Sequence, residues 1–321
     1  MTARPPGAIS CQPCGNPCGP PWDVKTFADA APRRAVSSSR QMSHTPRRRL
    51  LARTVILDRA IEALPLFRLS DSGEEVAITY AAVGGGRWRV LPAPGERLPG
   101  TFDQDVYVEL LRRYHEAEAP ADGTLTFTLH DFLRTMGRRV DGRTYEQLRS
   151  ALNRLQRTLL ESTEAWFDAV AGARWTGQFT MLSTVSIDRR RLTDRDQLAL
   201  FSSLTNNEPG DAHVTLAPQV RSNIAAGFTI TLASARYQQL SSPVARRLYR
   251  VLQVARHDAG RQWEVPLERL AEMLPLTQRY PSHLQRVLQP AHEMLLAAGV
   301  LRSATIAQHD KAWVVSYQVA D

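Results

Sequence analysis

The residues best suited to chemistry in this chain lie along 143–162, RTYEQLRSALNRLQRTLLES. At 100° per residue, Arg143, Glu146, Ser150, Arg154 and Arg157 share one helix face, with Gln147 and Asn153 beside it. Arg, Gln, Asn and Ser are the side chains that hydrogen-bond phosphates and base edges, so the chemistry on offer is recognition of a polyanion rather than bond making. The same side-chain types recur twice. Arg246 and Arg250, with Gln253 and His257, share one side of 243–257, and Ser282, Arg286 and Gln289 line the outward side of 281–298, with Arg279 just before it. Arg174 and Lys311 fall at the tips of two expected hairpins. The alternative for each face is a solvated charged surface.

Catalytic and cofactor chemistry finds little support. Gly84-Gly85-Gly86 is followed by neither Lys-Ser nor Lys-Thr, and after residue 53 the only lysine is Lys311, which rules out a P-loop. None of the eight histidines forms a His-x-His pair, and His292-Glu293 lacks the partner His of a zinc motif. Without such a metal site a tyrosine-dependent DNA-nicking enzyme is rejected, and Tyr237 and Tyr249 read as core or rim aromatics. Asp194 and Asp196 sit in a loop with no third ligand. Cys11, Cys14 and Cys18 form CQPCGNPC with no second ligand pair, so they are read as incidental, and neither metal nor cofactor is expected.

The elements that must position these faces follow from periodicity. Tyr145, Leu148, Leu152, Leu155 and Leu159 step by three and four residues and predict a helix over 144–162. A shorter helix, 130–136, and a turn with Gly137 and Gly142 precede it, which is a helix-turn-helix order. Upstream are two strands at 75–83 and 87–91 around the glycine run, a helix over 103–119 and a strand at 125–129. Downstream, 165–170 and 178–187 alternate as a hairpin with Arg174 near its tip, which reads as a wing.

The segment 191–211, ending in NNEPGD, reads as a linker. The order then repeats: strands at 213–216 and 228–232, a helix over 243–257 started by Ser242 and Pro243, a strand at 262–267 and a short helix. A long helix over 281–298 follows, with Pro290 expected to kink or weaken it, then strands at 301–306 and 313–318 around His309-Asp310-Lys311. The expected fold is therefore α+β: two tandem winged-helix domains, 54–190 and 212–321, behind a tail, 1–53.

Composition narrows the class. The 321 residues are 43% hydrophobic and 22% charged, with no apolar run long enough to span a membrane, so a cytoplasmic, nucleoid-associated protein is expected. The net charge is +8, but the tail holds nine basic and two acidic residues, leaving +1 for the other 268. DNA binding by the folded part must therefore come from local placement of Arg, not bulk charge. The tail is rich in Pro, Gly, Ser, Ala and Arg without apolar period and is expected to be disordered; Met42, just before the periodic region, is an alternative start.

On particular residues the chain resembles the plasmid replication initiator protein A family. These are Phe102-Asp103-Gln104-Asp105, then Tyr145-Glu146-x-Leu148-x-x-Ala151-Leu152-x-Arg154-Leu155-x-x-Thr158. Arg247-Leu248-Tyr249, Ala255-Arg256, Gly260, Trp263 and Leu267 follow in the second half, so that the likeness covers roughly 99–300. Asp258 departs from the basic character expected there, which argues against phosphate contact at that position. The resemblance implies a non-enzymatic initiator that binds double-stranded origin repeats, opens the adjacent duplex and recruits host replication proteins such as a helicase or its loader. It also implies a homodimer in equilibrium with a DNA-binding monomer. A winged-helix transcriptional regulator without a replication role is the second reading.

Overall fold

Why the long helices stand where they do is visible in their caps and stripes. The structure, a computed structural model, describes residues 54–70, 77–82, 84–187, 211–310 and 312–320. The tail 1–53, nearly all of the expected linker, and Lys311 lie outside the described residues. β1 (Thr54–Asp58) leads into a four-residue helix, α1 (Arg59–Glu62), and β2 (Ile78–Ala81) and β3 (Arg87–Leu91) follow as an antiparallel hairpin. Gly86 has to be glycine: a Cβ there would collide with the Glu164 carbonyl across the sheet.

The first helix-turn-helix is assembled from α2 (Thr101–Glu116), β4 (Thr124–Thr128), α3 (Leu129–Thr135) and α4 (Gly142–Arg157). Gly137, at φ +67, supplies the left-handed backbone that stops α3 and turns the chain. Asp141 then caps α4 by accepting the Thr144 N–H at 2.9 Å, while the Asp141 N–H donates to the Thr144 hydroxyl at 3.1 Å. Leu148, Ala151, Leu152 and Leu155 are buried, and Tyr145 is half-buried, so the predicted apolar stripe is the packed face.

The helix stops at Arg157 rather than Ser162. Leu159, which fits the helical stripe, is instead the first residue of β5 (Leu159–Asp168) and pairs with Leu91 of β3. The region expected as one strand over 178–187 is broken at Thr180 and Met181 into β6 (Ala173–Phe179) and β7 (Leu182–Ile187). β2, β3, β5 and β6 form a four-stranded sheet in that order. The β5–β6 hairpin is therefore not the wing of the first module.

That role falls to β7 and β8 (Asp211–Leu216), which form a three-stranded sheet in the order β4-β8-β7. Chain segment 188–210 joins these two strands, so the division expected at 211/212 falls within a strand that completes the first module's sheet. The second module repeats the pattern without insertion: α7 (Pro243–Ala259), β10 (Gln262–Pro266), α8 (Leu267–Met273), α9 (Pro281–Ala297), β11 (Leu301–His309) and β12 (Ala312–Val319). Its sheet order is β10-β12-β11, the same arrangement of first, last and middle strand. Two helices, a strand at one edge and a returning hairpin make each module a winged helix. α9 continues through Pro290, whose missing N–H frees only the carbonyl of Arg286, four residues back.

Between the modules lie α5 (Pro218–Ala225), β9 (Thr229–Ala233) and α6 (Ser234–Gln239). They tie the halves together, because β9 pairs antiparallel with β1, Thr54 opposite Ala233 through Asp58 opposite Thr229. Asn223 of α5 donates to Asp58 at 3.1 Å and to the Phe167 carbonyl at 2.9 Å, joining β1 to β5. Burial pushes the Asp58 carboxyl up to about 7, against the pull of its hydrogen bonds from Asn223 and Ala60.

At the centre, fully buried Glu62 accepts from Arg247 at 3.0 Å and from Arg250 at 3.0 and 3.1 Å, both from α7. The second Arg250 nitrogen donates to Gln104 of α2 at 2.5 Å, and Arg247 also reaches the Leu64 carbonyl at 2.8 Å. Burial, and then repulsion from Arg250, lowers Arg247 to about 10, so both guanidiniums stay charged at neutral pH. Removing one partner of a buried ion pair strands the other charge at a cost of about 3–5 kcal/mol. Glu62→Gln is expected to lose roughly that much in urea unfolding, whereas Glu272→Gln, which breaks an exposed pair with Arg269, stays within about 0.5 kcal/mol.

Candidate nucleic-acid interface

The polar residues singled out by the sequence fall into two groups that the pattern alone does not separate. Arg154 projects from α4 but does not stand free. Its guanidinium grips Asp103 at the start of α2, Nη2 to Oδ1 at 2.8 Å and Nε to Oδ2 at 3.1 Å. Asp103 also accepts the Gly100 N–H at 2.6 Å, so one nearly buried carboxylate caps α2 and holds α4 against it. Arg157 pairs with Glu96, while half of its side chain remains exposed.

Two residues of α7 require correction. Arg250 is 1% exposed and faces Glu62, not an outer surface. Arg246 donates to the Leu240 carbonyl at 2.6 Å and pairs with Asp105, which also takes Arg138 at 2.6 Å and the Tyr237 hydroxyl at 3.2 Å. The physical reason is common to both: each lies opposite an acidic or amide residue of α1 or α2, and a buried guanidinium needs such a partner. Gln253 is half-buried, and His257 contacts Arg59 at 3.2 Å. Asp258 pairs with Arg59 at 2.5 Å and so faces α1.

Arg174 lies on β6 in the four-stranded sheet. Its Nη1 donates to the Glu164 carbonyl at 3.1 Å, and its guanidinium lies beside Gly84. It braces the glycine turn rather than tipping the wing. Lys311 lies outside the described residues.

What remains open is narrower than expected. On α4, Arg143, Gln147 and Asn153 are exposed and Ser150 is half-exposed. On and just before α9, Arg279, Ser282, Arg286 and Gln289 are exposed, and Gln289 donates to Glu293 at 2.9 Å. Among the described residues, Arg143, Arg279 and Arg286 make no ion pair. Sequence reasoning passed over Arg134 and Arg139, both exposed around the Gly137 turn, although two arginines flanking a helix-turn-helix turn were legible there. Arg139 lies 3.6 Å from Asp141, loosely enough to be recruited elsewhere.

The available cations thus cluster on the amino-terminal half of each long helix and the turn before it. That half of a winged helix's second helix is the part placed to reach base edges, with the turn beside the phosphates. Stability should follow the same partition. Arg154→Ala, which deprives a 3% exposed carboxylate of its partner, is expected to lower the urea midpoint by about 1–3 kcal/mol equivalent. Arg143→Ala should stay within about 0.5 kcal/mol.

Among solved structures the chain resembles domains 2 and 3 of RctB, at TM-score 0.54 and 10% identity, covering 82% of this chain and 99% of that one. A second crystal structure of RctB domains 2–3 aligns at TM-score 0.48 and 9% identity over 82% and 97% of the two chains. The Pi initiator protein in complex with iteron DNA aligns at 0.43 and 12% over 69% and 94%. No curated protein matches the chain. The first likeness supports the double winged-helix fold, and the family rests on sequence: residues 57–280 match replication initiator protein A, well over half of the chain. The chain belongs to the replication initiator protein A family.

Proposed function

We propose that this protein starts replication of a plasmid or secondary replicon by binding double-stranded repeats at its origin, one winged helix per stretch of major groove. The observation that carries the reading is the pairing of two matching modules that each leave polar side chains open on the amino-terminal half of the second long helix, Arg143 and Gln147 on α4 and Ser282 and Arg286 on α9. Every other arginine on those helices, and Arg246 and Arg250 on α7, already has a carboxylate. Binding in this reading is followed by opening of adjacent duplex and recruitment of a host helicase or its loader, and a homodimer in exchange with the monomer limits how much protein binds.

A footprint of the purified full chain on the DNA flanking its own gene tests the reading directly. Protection of short direct repeats, together with replication of a plasmid carrying only the gene and those repeats, is the expected outcome. Protection without replication favours the transcriptional regulator. No protection at all overturns both. If about six to eight phosphates are contacted, affinity falls on the order of a thousandfold between 50 and 200 mM salt. Arg143→Ala or Arg286→Ala should cost roughly 1–3 kcal/mol of affinity if the side chain reads a base. If it holds a phosphate, each should make the salt slope shallower by about one.

A further inference from the structure

Resting on that reading, we propose that Tyr280 stacks its ring on a base of the bound DNA, making the second module the place where the duplex is unstacked. Tyr280 is 69% exposed, against 1–6% for Tyr80, Tyr107, Tyr114, Tyr237, Tyr249 and Tyr317. Among the described residues its hydroxyl has no hydrogen-bond partner. A tyrosine ring offers a flat apolar face beside a polar hydroxyl, which suits it to stacking at a wet interface.

The ring is presented rather than loose. Tyr280 is the residue before α9 in extended conformation, φ −84 and ψ 136, and Pro281 behind it disfavours any helical alternative. His283, one turn on, meets the ring edge-on at 5.7 Å and 78°. Its side chain makes no cap for α9, so helix stability does not account for it.

Comparison with the first module sharpens the point. Matching buried Leu148, Ala151, Leu152 and Leu155 of α4 with Leu288, Ala291, His292 and Leu295 of α9 sets Val140 opposite Tyr280. Val140 is half-buried and packs against the core, whereas Tyr280 is exposed, as are Arg279 before it and Ser282 and Arg286 in the first turns of α9. An exposed planar ring with an unpaired arginine next to it in the chain combines phosphate attraction with a sequence-tolerant stacking face, as single-strand-binding sites do.

The test uses the full chain with the duplex protected in the footprint, and with copies of it bearing a single abasic site moved through the repeat. Tyr280→Ala is expected to bind the intact duplex about tenfold or more weakly, and Tyr280→Phe within about twofold of the native chain. At one abasic position the native chain and Tyr280→Ala should bind alike, because the stacked base is gone. Unchanged melting of each variant keeps the comparison clean. Equal binding of Tyr280→Ala and the native chain to the intact duplex overturns the proposal alone. So does an equal loss for Tyr280→Phe, which would assign the contact to the hydroxyl. A native chain that protects no DNA overturns the functional reading, and this one with it.

Discussion

One buried carboxylate governs how the two halves of this protein meet. Glu62, on a four-residue helix, is surrounded by protein and faces two guanidiniums of α7, which themselves have no route to water. Burial of so much charge is tolerated because most of the remaining donors are met, Arg250 Nη2 by Gln104 and Arg247 by the Glu62 and Leu64 carbonyls, while among the described residues the Arg250 Nε finds no partner. The geometry leaves little freedom. α1 and α2 from the first half and α7 from the second must lie where these bonds close, and the β1–β9 pairing fixes the same junction from the other side. All described residues accordingly fall within one compact unit.

The run Asp103-Gln104-Asp105 at the start of α2 extends this arrangement. Its three consecutive side chains go to three different places: Asp103 to Arg154 of α4, Gln104 to Arg250, and Asp105 to Arg138, Arg246 and Tyr237. The amino end of α2, where acidic groups are also favoured by the helix dipole, therefore positions α4, the turn before it and the second module at once. Arginines that a helical wheel places on a DNA-facing side are sorted by these carboxylates into struts and free hands. Only the free ones are in a position to exchange water for phosphate.

Much of this was legible and some was not, for reasons that differ. The stripes of α4, α7 and α9 were readable because burial imposes a 3.6-residue period on Leu and Ala whatever the partner. The repeated helix, strand, helix, helix order followed from them. The end of α4 was not, since Leu159 satisfies both a helical stripe and a strand that pairs with Leu91. The first wing was misplaced because strand pairing is non-local: β5–β6 alternates as well as any wing, yet it joins β2–β3, and the true partner of β7 lies beyond segment 188–210. Arg250 looked like Arg286 in sequence. What separates them is Glu62, a long way back in the chain, and no local pattern carries that information.

If Glu62 and the β1–β9 pairing bind the modules into one body, neither winged helix opens without the other. Native-state amide hydrogen exchange tests this most directly, comparing the slowest amides at Leu152 and Leu155 of α4 with those at Leu288 and Leu295 of α9. Both sets should exchange through one opening of the same free energy and the same denaturant dependence. Opening of α9 at a distinctly lower free energy than α4, or the reverse, would show two independently stable modules and contradict the account.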